Sequence, residues 1–139
     1  MKCAVDSDVI ISAMMSKKGA AYLLLSQKME EFYVSNIQLM ELELVCRRLK
    51  LNRQSLKRLM RNSFEVVELK DSGEEIKLKW RGYTYDVNDA HIIAGAVKAK
   101  AKFLLSYNLR HFKTEILRRK FDLVCLTPGR FLQYLRSQS

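Results

Sequence analysis

Apolar residues along the chain fall into short runs separated by longer stretches of helical period. Cys3-Ala4-Val5 has the pattern of a buried strand and ends in a polar turn, Asp6-Ser7-Asp8. Val9-Ile10-Ile11 then opens a helix whose first turn carries carboxylates. Gly19 breaks that helix, and residues 20–29 resume it. Phe32-Tyr33-Val34-Ser35 reads as a second strand, after which Ser35 or Asn36 caps a helix to about Leu51. Its expected apolar stripe is Ile37, Met40, Leu44 and Leu51, with Leu39 and Leu42 beside it.

Residues 53–62 form a strongly basic helix pattern, residues 65–69 alternate like a strand, and residues 71–73 make a turn. Residues 76–80 fit a strand and a helix equally well. Asn88 caps an Ala-rich helix through Lys100, residues 102–106 and 123–126 are buried strands, and Pro128 starts a last helix to about Arg136. Strands alternating with crossover helices predict an α/β fold, with a central, mostly parallel β-sheet flanked by α-helices. Neither a repeat nor a linker divides the chain, so residues 1–139 are expected to form a single domain.

Composition narrows the class. The chain has 139 residues, 48% of them hydrophobic, with one proline and five glycines, which disfavours both disorder and a turn-rich β-sandwich. Its three cysteines, Cys3, Cys46 and Cys125, form no CxxC, so reduced thiols in a cytoplasmic protein are expected. No apolar stretch approaches the roughly 20 residues of a membrane span, so no membrane partner is expected. The net charge is +10, from 25 Lys and Arg against 15 Asp and Glu.

Against that basic background, the acids collect where strands end and helices begin. In a parallel α/β sheet this is the ligand-binding edge. Asp6 and Asp8 follow the first strand, Asp86 and Asp89 open the Ala-rich helix, and Glu41 lies early in the helix after the second strand. Asn108 falls just past the strand at 102–106. Clustered carboxylates repel one another unless a cation neutralises them, and a hard cation such as Mg²⁺ takes oxygen ligands. Such an ion generates hydroxide and stabilises charge on an attacked phosphodiester, while basic residues hold the phosphate backbone. Taken singly, Asp6, Asp8 and Asp89 are also ordinary helix-capping or first-turn acids.

The motifs resemble those of PIN domains. Val5-Asp6-Ser7-Asp8-Val9-Ile10-Ile11-Ser12-Ala13 is similar to that family's opening. The stretch from Ser35 through Glu41 to Arg47-Arg48-Leu49-Lys50 is similar to its second motif. Asp86-Val87-Asn88-Asp89 with the Ala-rich helix resembles the third, and Leu104-Leu105-Ser106-Tyr107-Asn108-Leu109-Arg110-His111-Phe112 the fourth. Thr127-Pro128-Gly129-Arg130-Phe131-Leu132 resembles the start of the usual C-terminal helix. The resemblance implies a PIN-like fold and a Mg²⁺- or Mn²⁺-dependent ribonuclease, most similar to toxins of toxin–antitoxin pairs. It implies metal binding by Asp6, Glu41 and Asp89, orientation of Asp6 by Ser12, and support from Asp8. The fourth acidic position departs from the family and is Asn108, with His111 three residues on. Asn108 is expected to hold water or phosphate, Asp86 and His111 to assist, and an antitoxin and a second copy of the chain to be partners.

Arg47, Arg48, Lys50, Arg53, Lys57, Arg58 and Arg61 form a run with no acid, which suggests a polyanion partner and marks the first six as RNA contacts. Arg110 joins them, close to a second basic cluster at Arg118-Arg119-Lys120. Trp80, Tyr83 and Tyr85 are either base-stacking residues or part of an interface or the core, and Met14, Met15, Leu39 and Met40 are candidates for a protein-docking patch. Two other readings compete with the nuclease. One is a catalytically weak or inactive PIN-like RNA-binding module, motivated by Asn108 and His111. The other is an Asp-nucleophile phosphotransferase, because Asp6-Ser7-Asp8-Val9 resembles the opening of the haloacid-dehalogenase family, although no matching lysine motif is evident.

Overall fold

In the computed structural model, which describes residues 1–138, five parallel strands form one sheet in the order β3-β2-β1-β4-β5. They are β1 (Lys2–Val5), β2 (Glu31–Ser35), β3 (Phe64–Val67), β4 (Phe103–Leu105) and β5 (Val124–Leu126). Eight α-helices connect or flank them: α1 (Ser7–Met15), α2 (Ala20–Leu25), α3 (Asn36–Arg48), α4 (Arg53–Ser63), α5 (Gly73–Trp80), α6 (Ala90–Lys98), α7 (Thr114–Phe121) and α8 (Pro128–Ser137). The expected α/β fold is therefore present, and every strand pairing in it is parallel.

The apolar strand runs follow from burial on both faces of the sheet. Cys3, Val5, Phe32, Val34, Phe103 and Leu105 pack into one core with α1, α2, α8 and parts of α3 and α4. Ala4 and Leu104 point the other way, into a second core with Ile92, Ile93 and Leu117 from α6 and α7. Adjacent residues of a strand serve opposite layers, so nothing polar interrupts the run. Truncating a fully buried side chain such as Leu105 is expected to cost about 2–5 kcal/mol.

Several elements differ from the sequence expectation for identifiable reasons. The ambiguous segment at 76–80 is the end of α5, started by a reciprocal capping box between Ser72 and Glu75. Helix α3 buries Gln38, Leu42 and Cys46, while Met40 and Leu44 of the expected stripe are 67% and 60% exposed. The buried face is thus rotated from the expected one and includes a polar glutamine. Helix α7 was not anticipated, because a basic stretch with only Ile116, Leu117 and Phe121 as apolar residues is a weak helical signal. Asp86, rather than Asn88, caps the segment before α6, accepting from the Asn88 N–H at 2.9 Å. A 3₁₀ turn over Val87–Asp89 intervenes before the α-helix begins.

The strand order reverses between β1 and β4. Their C-terminal ends therefore flank the crevice in which an open α/β sheet binds its ligand. Gln38, buried on α3, ties the end of β1 to this edge by donating from Nε2 to the Val5 carbonyl at 2.6 Å and to Ser7 Oγ at 3.2 Å. Gly95 lets α6 lie close over β2, since a Cβ at that position would meet Ser35 Cβ at 3.3 Å.

Candidate active site

Asp6 sits where β1 turns into α1. Its Oδ1 accepts from the Ser7 N–H at 2.8 Å and its Oδ2 from the Ser106 hydroxyl at 2.8 Å. Ser106 is the residue after β4, so this bond crosses the switch point, beside a backbone bond from Asp6 N–H to the Leu105 carbonyl at 2.9 Å. Ser12 was expected to orient Asp6, but the hydrogen bond comes from Ser106. The local spacing of α1 suggested Ser12, whereas strand adjacency supplies Ser106 from a hundred residues away in sequence.

Asp8, in the first turn of α1, is held by the same loop. Its Oδ2 accepts from the Tyr107 N–H at 3.1 Å and from Asn108 Nδ2 at 3.0 Å. The Ser106 hydroxyl has one proton and lies 2.8 Å from Asp6 but 3.5 Å from Asp8, so Asp6 receives it. Ser106 Oγ accepts in turn from the Asn108 N–H at 2.9 Å. Asn108 is thus committed to Asp8 through its amide, a bond that an aspartate at this position has no proton to make.

The other two predicted ligands pair with the only two histidines of the chain. Glu41, half-exposed on α3, lies 3.0 Å through Oε1 from Nε2 of His91, a buried residue of α6. Asp89, at the end of the 3₁₀ turn, has Oδ2 3.3 Å from His111 Nδ1. That contact is too poorly aligned for a hydrogen bond, so Asp89 Oδ2 is buried without a hydrogen-bond partner. Asp8 Oδ1 and His91 Nδ1 are in the same condition.

Asp6, Asp8 and Asp89 are neighbours electrostatically. Burial pushes the Asp6 carboxyl above the usual carboxylate range, against the hydrogen bonds from Ser106 and Ser7 and the fields of His91 and His111. Burial and then the Asp6 charge push Asp8 up to about 6. Asp89 is raised by burial, then by the charges of Asp6 and Asp86. Asp86 itself is exposed, and its carboxylate serves as the cap of the 3₁₀ turn.

Among the described residues, no three His, Cys, Asp or Glu side chains are close enough together to hold a metal ion as they stand. The donor set nevertheless suits a hard divalent cation. It offers carboxylate oxygens, two of them buried and unpartnered, and ionisation that one positive charge would favour at every member. Closing on a shared ion therefore needs side-chain movement within this set.

The basic residues divide by position. Arg110 lies in the 3₁₀ turn Leu109–His111, next to His111 at the acidic edge. Arg47 and Arg48 end α3, which starts at that edge and runs back along the sheet, so Arg48 is about 10 Å beyond Glu41 along the helix axis. Lys50, Arg53, Lys57 and Arg58 follow on the α3–α4 connection and α4, all exposed. The sequence reading missed Ser106, His91 and Gln38 as site residues. Ser106 lay within a quoted motif at a strand end, the one available signal, whereas nothing local marks His91 or Gln38.

A sheet ordered 3-2-1-4-5 with acids at its switch point invites comparison with known folds. The chain resembles VapBC2 from Rickettsia felis bound to a DNA fragment from their promoter, with a TM-score of 0.64 at 18% identity over 91% of this chain and 98% of that one. It also resembles a toxin–antitoxin complex from Klebsiella pneumoniae, with a TM-score of 0.62 at 16% identity over 91% and 97% of the two chains. VapBC-1 from nontypeable Haemophilus influenzae gives 0.60 at 18% identity over 93% and 99%. No curated protein matches the sequence at a significant level. The family model described as the PIN domain matches residues 3–127, from the first buried strand to the cap of the last helix. With the fold and the family model in agreement over most of its length, this chain belongs to the PIN domain family.

Proposed function

We propose that the protein is a divalent-cation-dependent endoribonuclease and the toxin member of a toxin–antitoxin pair. The observation that carries this reading is the shared field of the acids. Asp8 and Asp89 both feel the charge of Asp6, and each keeps a buried carboxylate oxygen without a hydrogen-bond partner. PIN domains are in general metal-dependent nucleases, which gives that field a use.

In this reading Asp6, Glu41 and Asp89 hold Mg²⁺ or Mn²⁺. The cation supplies an activated water and offsets charge on the attacked phosphodiester. Ser106 and the Ser7 amide keep Asp6 oriented, so little reorganisation falls on that ligand. Asp8 adds negative charge beside Asp6 and anchors Asn108, while Asp86 fixes the turn that presents Asp89. His111, against Asp89, is placed to hold a proton at the reacting edge. Arg110 meets the phosphate backbone there, and the row from Arg47 to Arg58 extends the electrostatic track along α3 and α4.

Three solved relatives in fold are toxin–antitoxin assemblies, which supports an antitoxin as partner, and a homodimer in the cytoplasm completes the proposal. Of the four docking candidates, Met15 and Met40 are 65% and 67% exposed, whereas Met14 and Leu39 pack against the core. No described helix is long and apolar enough to cross a membrane.

Incubation of the protein with RNA in Mg²⁺ or Mn²⁺ tests the proposal. Cleavage is expected, and Asp89→Ala is expected to abolish it. Metal-dependent cleavage surviving in that variant overturns the assignment. The engagement of the Asn108 amide with Asp8 favours a second reading, a PIN-like RNA-binding module with little or no activity. Salt-sensitive RNA binding without turnover at any divalent concentration would establish it instead.

A further inference from the structure

The side chains of two tyrosines at the acidic edge have no role in the function proposed above. Tyr85 is 73% exposed and Tyr107 is 42% exposed. Both have their backbones fixed beside the acids. The Tyr85 N–H donates to the His111 carbonyl at 2.8 Å, next to an isolated antiparallel bridge between Thr84 and Phe112, and His111 contacts Asp89. The Tyr107 N–H donates to Asp8 Oδ2 at 3.1 Å, and the adjacent Ser106 donates to Asp6. The backbone of Tyr85 is therefore anchored on the Asp89 side of the cup and that of Tyr107 on the Asp6–Asp8 side.

Other aromatics in the region are already engaged. Trp80 and Tyr83 pack on Phe121 with ring centroids 5.7 and 5.2 Å away, and both are only partly exposed. Their stacking capacity is used by the protein itself. Tyr85 differs, since among the described residues its one aromatic-face partner is the Lys113 ammonium, 5.3 Å from the ring centroid. A cation over one face leaves the second for another flat group, and the same ammonium is then available to a phosphate beside it.

We infer that Tyr85 and Tyr107 are base-stacking residues that grip unpaired nucleotides on the two sides of the phosphate presented to the acids. This rests on the ribonuclease reading and adds to it the residues that select the substrate's conformation. Bases within a duplex are stacked on one another and offer no free face, whereas splayed bases in a single strand or loop stack on aromatic rings. Stacking is sequence-tolerant because every base has such a face, so these two residues select unpaired RNA and not a particular base. Lys113 contributes one phosphate contact and hence part of the salt dependence.

The test uses the full chain and a mixed-sequence single-stranded RNA 12-mer carrying 2-aminopurine, a base whose fluorescence falls when it stacks. Binding is measured in EDTA, so that the readout does not depend on turnover. The wild-type protein is expected to quench the fluorophore, and Tyr85→Phe and Tyr107→Phe are expected to retain the quenching. Tyr85→Ala and Tyr107→Ala are expected to lose it and to weaken Kd by about 5- to 150-fold each. The slope of log Kd against log salt should stay unchanged in the tyrosine variants and shrink by about 0.7 in Lys113→Gln. The same oligomer in a duplex, where 2-aminopurine is already stacked and dim, should bind more weakly than the single strand, with no effect of either alanine on its Kd. Quenching and affinity preserved in the Tyr85→Ala/Tyr107→Ala double variant overturn the inference, as does equal, tyrosine-dependent affinity for the duplex. Tyrosine-dependent quenching by a protein that cleaves no RNA would defeat the nuclease reading alone. Cleavage unaffected by either alanine would defeat this inference alone.

Discussion

The two halves of the acidic cup are built differently. On the β1–β4 side, Asp6 and Asp8 are cross-braced by Ser106, by the Ser7 and Tyr107 amides and by Asn108, all on strand ends or the first turn that follows. On the helical side, Glu41 and Asp89 each meet a single histidine from a different element, and the Asp89 contact is not even a good hydrogen bond. Parallel strand pairing fixes the first pair of acids to within a hydrogen-bond length. Helix packing leaves the second pair in contacts that a cation can replace. In the proposed nuclease, a preformed anchor facing an adjustable clamp would confine the repulsion between carboxylates to the state in which a cation offsets it.

The sharpest break of this contrast comes from the anchor itself. Asp6→Asn should lower Mn²⁺-dependent RNA cleavage by on the order of 10³-fold or more, since it removes a ligand charge from the braced half. Ser106→Ala removes the hydroxyl that serves Asp6 and leaves the Asn108 N–H without its acceptor. A loss of about 1–2 kcal/mol in urea unfolding is expected, together with a clear fall in kcat. On the clamp side, His91→Gln should change cation affinity by less than about 10-fold, measured by calorimetry, because His91 meets one oxygen of a half-exposed Glu41 carboxylate and leaves the other free to move. Equal sensitivity to Ser106→Ala and His91→Gln would remove the distinction between the halves.

Protonation sharpens it further. The carboxyls of Asp6, Asp8 and Asp89 lie above their ordinary range in the folded protein, Asp8 at about 6. The folded state therefore holds more protons than the unfolded state between the ordinary aspartate value and the raised one. The contribution of Asp8 to stability is complete below about pH 4 and is lost as pH rises through about 6, and those of Asp6 and Asp89 fall in the same direction as pH rises. In EDTA, thermal unfolding should thus occur at a higher temperature at pH 5 than at pH 7. Asp8→Asn should flatten this dependence and raise Tm at pH 7 by a few degrees, while saturating Mn²⁺ should also flatten it. A pH profile identical in wild type and Asp8→Asn would show that Asp8 ionises freely.

Legibility follows the same physical division. The central strands were readable because burial on both faces leaves Cys3-Ala4-Val5 and Phe103-Leu104-Leu105 uninterrupted by polar residues. Asp6, Asp8, Asp89 and Asn108 were readable because they follow strands or open helices, and their positions depend on local chain order. Ser106 as the partner of Asp6, and His91 as the partner of Glu41, arise only from tertiary packing. Helix ends were lost for another reason. Lys50, Lys100 and Asp122 adopt left-handed backbone with φ of 57°, 57° and 52°, where glycine would have marked the stop. The expected helices accordingly overran to Leu51 and Lys100. These strained caps give the smallest effect of the set. Lys100→Gly should stabilise the protein by about 1 kcal/mol in urea unfolding without changing RNA cleavage.

The central claim is that Asp6, Glu41 and Asp89 close on one cation. A crystal of the protein soaked in Mn²⁺ tests it most directly, through the anomalous signal. The expected result is a Mn²⁺ peak contacting all three carboxylates, with Glu41 turned from His91 and Asp89 from His111. A fully soaked crystal with no peak at the β1–β4 crevice, or with Mn²⁺ bound elsewhere and Glu41 still on His91, would contradict it.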